Sequence, residues 1–213
     1  QFALTSCCPS WSVMAKNLFP ETIDKISNEL TPMVATARLI KQEHPDASVV
    51  FIGPCASKKL EASRRTVRSD VDFVITFEEL TGRFEAKGIL LDEINDSDEM
   101  KDATAAGRGY GVAGGVANAI KECIEKYYPG TPVNIQHAES LAECKKALLL
   151  AKAGKMNGCL IEGMACPGGC IAGAGTNIAI PVAAKAVDKF KNEAEKKVPD
   201  ESVDQEMVEL EKE

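Results

Sequence analysis

Short β-branched runs alternate with stretches of helical period along most of this chain. Ser48-Val49-Val50-Phe51-Ile52 reads as a buried strand, and Phe73-Val74-Ile75-Thr76, Val133-Asn134-Ile135 and Cys159-Leu160-Ile161 as further strands. Gly88-Ile89-Leu90-Leu91 is a weaker strand or a turn. Helical patterning covers 11–17, then 21–29, where Ile23 and Ile26 share a face. Thr31 is placed to cap a helix that has Pro32 at its first position, carries Val34, Leu39 and Ile40, and stops near Pro45. Further helices are expected over 78–86, 114–128 (Val116, Ile120, Cys123 and Ile124 on one side), 140–153 and 181–197, the last aligning Ala183, Val187, Phe190 and Ala194. Residues 92–107 are acidic, then small, and read as a loop; after Pro199 the tail is strongly acidic and expected to fray. Strands alternating with helices predict an α/β fold, a largely parallel sheet flanked by helices. Residues 1–180 read as one domain, and 181–213 as an amphipathic helix and acidic tail. Sites in such sheets gather at the carboxyl ends of strands, where Cys55 and Cys166 fall.

Composition narrows the function. Of 213 residues 45% are hydrophobic, enough to sustain a packed core. The net charge is −7 and no basic stripe stands out, which argues against a nucleic-acid partner. No apolar run approaches the roughly 20 residues of a membrane span, and no secretory signal is visible. A cytoplasmic protein is expected. The first residue is Gln1, and six residues precede Cys7, so the expectation is a segment of a longer protein.

Eight cysteines are present: Cys7, Cys8, Cys55, Cys123, Cys144, Cys159, Cys166 and Cys170. Their low fraction in a long chain favours metal or catalytic use over a disulfide framework. Five of them sit against Pro and Gly, where tight turns expose thiolates and let backbone approach a bulky ligand. Cys166 and Cys170 flank Pro167-Gly168-Gly169, and small residues follow from Ile171 to Gly175. The pattern suits an iron–sulfur site. A glycine turn with two buried cysteines, or a zinc site, would be the plainer reading, although structural zinc prefers closer pairs. Cys7 and Cys8 are adjacent, so one would ligate and the other face elsewhere. Lys58, three residues after Cys55, could give charge-assisted hydrogen bonds to an anionic ligand. Alone it reads as a solvated surface lysine.

Taken together, these segments resemble the signature motifs of the [FeFe]-hydrogenases. Thr5-Ser6-Cys7-Cys8-Pro9-Ser10-Trp11 matches the family's first motif in full. The second appears as Gly53-Pro54-Cys55, Lys58 and Glu61, with Gly53 in a methionine position. The third is Met164-Ala165-Cys166-Pro167-Gly168-Gly169-Cys170. Similarity extends over 70–79 and 107–120, and so over most of 4–176.

The resemblance implies an iron-only-hydrogenase-like fold and reversible oxidation of H2 to protons and electrons. It implies that Cys8, Cys55, Cys166 and Cys170 ligate a [4Fe–4S] cluster, with Cys170 bridging to a diiron subsite that carries CO and cyanide (the H-cluster). Cys7 would be the proton-transferring thiol, Lys58 would hydrogen-bond a cyanide, Met164 would pack near the bridging carbonyl, and Ser27 would relay protons. Implied partners are a ferredoxin-like electron carrier and the maturation proteins that build the diiron subsite. Gly53 should enlarge the pocket or admit water. The family's domain begins well before the first motif, so an incomplete domain, lacking pocket walls and acidic relay residues and inactive alone, is expected. A hydrogenase-like sensor of H2 or redox state, and a non-catalytic [4Fe–4S] protein of the assembly type, are the alternatives. Cys7 argues for turnover, while Lys58 and Met164 argue against the assembly type.

Other features carry less. Gly109-Tyr110-Gly111-Val112-Ala113-Gly114 fits G-x-G-x-x-G, but no apolar strand precedes it, so a dinucleotide site fails its context and a tight turn is expected. His44 and His137 are assigned no metal. Cys123, Cys144 and Cys159 read as small buried apolar residues.

Overall fold

A computed structural model describes residues 1–68, 70–95 and 103–200. The acidic tail beyond Asp200 and part of the 92–107 loop lie outside these residues.

The chain opens with strand β1 (Ala3–Leu4) and helix α1 (Pro9–Leu18), then a 3-10 turn over Pro20–Lys25. Helix α2 (Pro32–Glu43), strand β2 (Val50–Gly53) and helix α3 (Ser57–Ala62) follow. Next come β3 (Phe73–Thr76), α4 (Phe77–Lys87) and short helix α5 (Ala105–Arg108). The remainder is α6 (Gly115–Tyr127), β4 (Asn134–Glu139), α7 (Leu141–Lys152), β5 (Cys159–Met164) and α8 (Ile180–Asn192).

All described strand pairs are parallel, as the βα alternation requires, but they form two sheets. One has the order β1-β5-β4; the other pairs β2 with β3. The first sheet, α1 and α7 share a core of Leu4, Trp11, Phe19, Ile26, Cys144, Leu148 and Ile161. The second sheet lays Phe51 and Val74 on Met33, Val34 and Ala37 of α2, with Val67 and Val71. Its other face leaves Val50, Ile52 and Phe73 exposed, so β2 is covered on one face only and is not the fully buried strand expected.

Three expectations need correction. Residues 21–29 do not form an α-helix. The 3-10 turn ends at Lys25, and Ile26 goes extended to bridge Leu4 in parallel. Ser27 N donates to Leu4 O at 2.8 Å, so this stretch buries Ile26 as an edge of the first sheet. Thr31 stands at the N-cap position of α2 but makes no capping bond, and its buried Oγ1 has no hydrogen-bond partner. The buried face of α2 is Met33, Val34, Ala35 and Ala37, while Ile40 is exposed. The last helix ends at Asn192, five residues short of the expected end.

Capping chemistry sets the better-placed helices. Thr76 and Glu79 form a reciprocal capping box at the start of α4, and Gly88 closes it in the left-handed conformation. Within the expected loop, Thr104 caps α5, which packs beneath α8; Arg108 donates to Phe190 O at 3.0 Å and lies over the Phe190 ring. No helix among the described residues is long and apolar enough to cross a membrane.

Candidate metal centre

The first motif is the turn from β1 into α1. Cys8 is the N-cap residue, extended at φ −94°, and Pro9 fixes the helix start. Trp11 is fully buried, donates through Nε1 to Thr5 O at 3.0 Å, and lies flat where a side chain on Gly163 would overlap its ring. The first motif is thereby seated on the strand that leads into the third.

The second motif follows β2. Cys55 lies two residues past the strand, and α3 begins at Ser57. Lys58 is not the surface lysine its isolated sequence suggests. It is 8% exposed, and its Nζ meets Glu61 Oε2 at 2.7 Å. Ser57 and Ser10 hydroxyls hydrogen-bond at 2.5 Å, joining the first and second motifs. The ring of Phe51 stands where a side chain at Gly53 would leave the backbone. On that side the methionine's place is filled by an aromatic ring, not left open.

The third motif follows β5. Met164 ends the strand, 3% exposed. Gly168 and Gly169 both take positive φ, +92° and +89°. Any side chain at Gly169 would collide with the backbone of Val112 and Ala113. Cys170 then opens a 3-10 turn. Beyond it Gly175 N donates to Pro54 O at 2.9 Å, and Gly173 is pressed against the same carbonyl. The small residues after Cys170 thus let the third motif dock against the second.

These contacts bring the thiols of Cys166 and Cys170 within electrostatic reach of Cys8 and Cys55. Burial, then Cys55 and Cys8, pushes the Cys170 thiol up to about 11, with Lys58 opposing. Burial and the same two neighbours raise Cys166. Cys7 is pushed up to about 12 by burial, then by Glu162, Cys8 and Cys170, again opposed by Lys58. Five thiols and one buried ammonium therefore share one region. All eight cysteines are free of disulfides. Among the described residues, no three His, Cys, Asp or Glu side chains close on a single metal ion. A donor set that is all thiol, carried on turns stripped of side chains, fits a cubane, which takes one thiolate at each iron.

Ser27 sits just past the Ile26 bridge and accepts from Glu29 N at 3.2 Å. The same loop takes Ser6 Oγ onto Glu29 O at 2.9 Å, which ties it to the first motif. Of the remaining cysteines, Cys144 is fully buried in the first core, on which Cys8 packs, and lies within electrostatic reach of Cys8. Cys159, at the opposite end of β5 from Met164, and Cys123, beneath Ala106 and Val198, are half-buried and not the buried residues expected. His137 lies within β4 and is exposed.

Sequence reasoning missed Glu162 and Tyr110. Glu162 is 1% exposed and accepts from Gly114 N at 2.8 Å and Ala117 N at 2.7 Å. A charged residue inside the apolar run Leu160–Met164 was the available signal. Tyr110 is pushed up to about 12 by burial, then by Cys7 and Glu162, so both groups lie near the Cys7 thiol.

Comparison with known proteins agrees with this arrangement. The chain is 28% identical to the periplasmic [Fe] hydrogenase large subunit of Nitratidesulfovibrio vulgaris, over 87% of this chain and 53% of the relative. It is 27% identical to iron hydrogenase 1 of Clostridium pasteurianum, over 80% of this chain and 37% of the relative. It thus spans about half or less of these relatives' length. A shorter stretch, 34% of the chain, is 40% identical to a cytosolic Fe-S cluster assembly factor of Kluyveromyces lactis, of which it covers 16%. The fold superposes on an [FeFe]-hydrogenase from Chlamydomonas reinhardtii with a TM-score of 0.67 at 21% identity, covering 92% of this chain and 68% of that one. The family model for the iron only hydrogenase large subunit, C-terminal domain, matches residues 1–174, and the chain belongs to that family.

Proposed function

We propose that this chain is the part of an [FeFe]-hydrogenase catalytic domain that holds the H-cluster, and that the complete protein interconverts H2 with protons and electrons. The observation that carries the reading is the gathering of Cys8, Cys55, Cys166 and Cys170 with Cys7 and Lys58 from three separate motifs. The four cysteines would hold a [4Fe–4S] cluster, and Cys170 would join it to a diiron subsite carrying CO and cyanide. When bound, that assembly supplies heterolytic hydrogen chemistry and an electron store.

The chain's own residues do the rest. Cys7 lies next to a ligand in sequence but leaves the backbone in another direction. Its buried thiol keeps its proton at neutral pH, and the nearby Lys58 charge eases its release. Lys58, held by Glu61, would have its remaining donors free for a cyanide of that subsite. Met164 closes the end of β5 against water with an apolar side chain, and Ser27 sits on the loop tied to the first motif as a relay. Electrons would leave to a ferredoxin-like carrier, and dedicated maturation proteins would install the diiron subsite.

The stretch shared with the assembly factor motivates a second reading, an iron–sulfur protein with cubanes alone. Cys7, Lys58 and Met164 are then without their proposed work. Infrared spectroscopy of the matured complete protein separates the two. Metal-bound CO and cyanide bands with H2 turnover are expected, and a cubane without those bands would favour the assembly type. In the same protein Cys7→Ser should keep the bands and lose most turnover, because a serine hydroxyl gives up its proton far less readily. Unchanged turnover removes Cys7 from the proton path; loss of the cluster makes it a ligand.

A further inference from the structure

The glycine stretch 109–115, which fails as a dinucleotide site, is packed against the turn between Cys166 and Cys170. Val112 pairs with Gly169 in an antiparallel bridge, and Ala113 N donates to Gly168 O at 3.0 Å. The contact is close enough that Gly169 admits no side chain. The stretch is tight in itself, since Gly115 lies against Gly109 O and its N donates to Val112 O at 3.0 Å.

This stretch ends at the start of α6, whose N-cap residue is Gly114 at φ +81° and has no side chain to cap with. The capping group comes from another element. Glu162, one pleat before Met164 on β5, sends one carboxylate oxygen to Gly114 N and the other to Ala117 N. Ala117 is the third helical position, the usual recipient of an N-cap side chain. Burial raises the Glu162 carboxyl, and the two amides that donate to it work against that rise, as the helix dipole does for negative charge at a helix start. Removing it would orphan two buried donors.

We propose that Glu162 is a positioning residue for the metal centre: by capping α6 across the sheet, it locks the 109–115 stretch onto Gly168 and Gly169 and so presets the Cys166–Cys170 turn for its cluster. The proposal rests on the reading that Cys166 and Cys170 hold a cubane. Both ends of the lock start from β5. Glu162 fixes the glycine stretch, and the stretch in turn fixes the turn that leaves the same strand four residues later. A second hydrogen bond holds the turn, from Gly168 N to Glu139 Oε2 at 2.9 Å, and Glu139 lies within electrostatic reach of Glu162.

Glu162→Gln tests it, since the amide keeps the volume but sets an NH2 against one of the two backbone donors. Hydrogen exchange is read on the cluster-free protein, so the result does not depend on loaded metal. Exchange should speed by about tenfold over 109–117 and also over 165–172, with 49–53 and 73–76 unchanged. Faster exchange confined to 109–117 would make Glu162 a helix cap only and overturn the proposal. If the variant fails to fold, the reciprocal measurement on wild-type protein decides. Loading the cubane should slow exchange at Gly114 and Ala117, because coupling between two sites runs both ways; no slowing would overturn it. Failure of the wild-type chain to take up a cubane at all, with the exchange result intact, would instead strike the cluster reading.

Discussion

Lys58 and Glu61 place opposite charges 2.7 Å apart in the interior, with side chains 11% and 6% exposed. Breaking such a pair strands a buried charge. Lys58→Met should therefore cost about 3–5 kcal/mol in a denaturant titration, and adding Glu61→Leu should recover most of the loss. Additive losses in the double variant would mean the two residues do not depend on each other. The thiols differ as sharply. Cys144 is pushed up to about 12, chiefly by burial and then by Cys8, so at pH 8 it stays a thiol. Alkylation of native protein should spare Cys144 at pH 8 and reach it only as pH rises or the chain unfolds. Labelling at pH 8 as fast as in denaturant would contradict its placement. At this scale the sequence was most legible for the cysteines between Pro and Gly, because the turns they need dictate their neighbours. Lys58 misled when read alone, since its partner three residues on is what permits burial. Glu162 was hidden because its partners are backbone amides 48 and 45 residues away, which no side-chain motif announces.

Among the elements, β5 carries the most consequence. Its Gly163 faces Trp11, and a methyl group there would have to displace the indole that seats the first motif. Gly163→Ala is expected to cost about 1–3 kcal/mol in denaturant and to weaken iron uptake together with stability. An unchanged midpoint would show that Trp11 can move aside. The strands β2 and β3 were readable as short runs rich in β-branched residues, and β3 matched at both ends; β4 and β5 were found only at their first residues, because Gln136 to Glu139 and Glu162 to Met164 carry no strand pattern. The failures have a common cause. The 21–29 segment has helical spacing, yet Ile26 is spent on a bridge to Leu4, a contact that arises only once β1 joins the sheet. Strand β1 itself is two residues long and carries no periodic signal. The N-cap of α2 looked complete in sequence, but Thr31 is turned inward.

At the scale of the whole molecule, α/β alternation foretold parallel pairing but not the division into two sheets, because both halves have the same pattern. The motifs meet through contacts between the halves: Ser10 with Ser57, and the glycines after Cys170 with Pro54. The account therefore stands on those three motifs serving one centre. The direct measurement is anaerobic reconstitution with iron and sulfide, with iron counted per chain and the reduced cluster read by electron paramagnetic resonance. Wild-type protein should bind about four irons per chain as a single cubane. Cys8→Ala, Cys55→Ala, Cys166→Ala and Cys170→Ala should each lower iron uptake and alter the spectrum, while Cys123→Ala should leave both unchanged. Equal iron loss in the Cys123 variant and in the four ligand variants would mean that uptake is adventitious and that the motifs do not share a cluster.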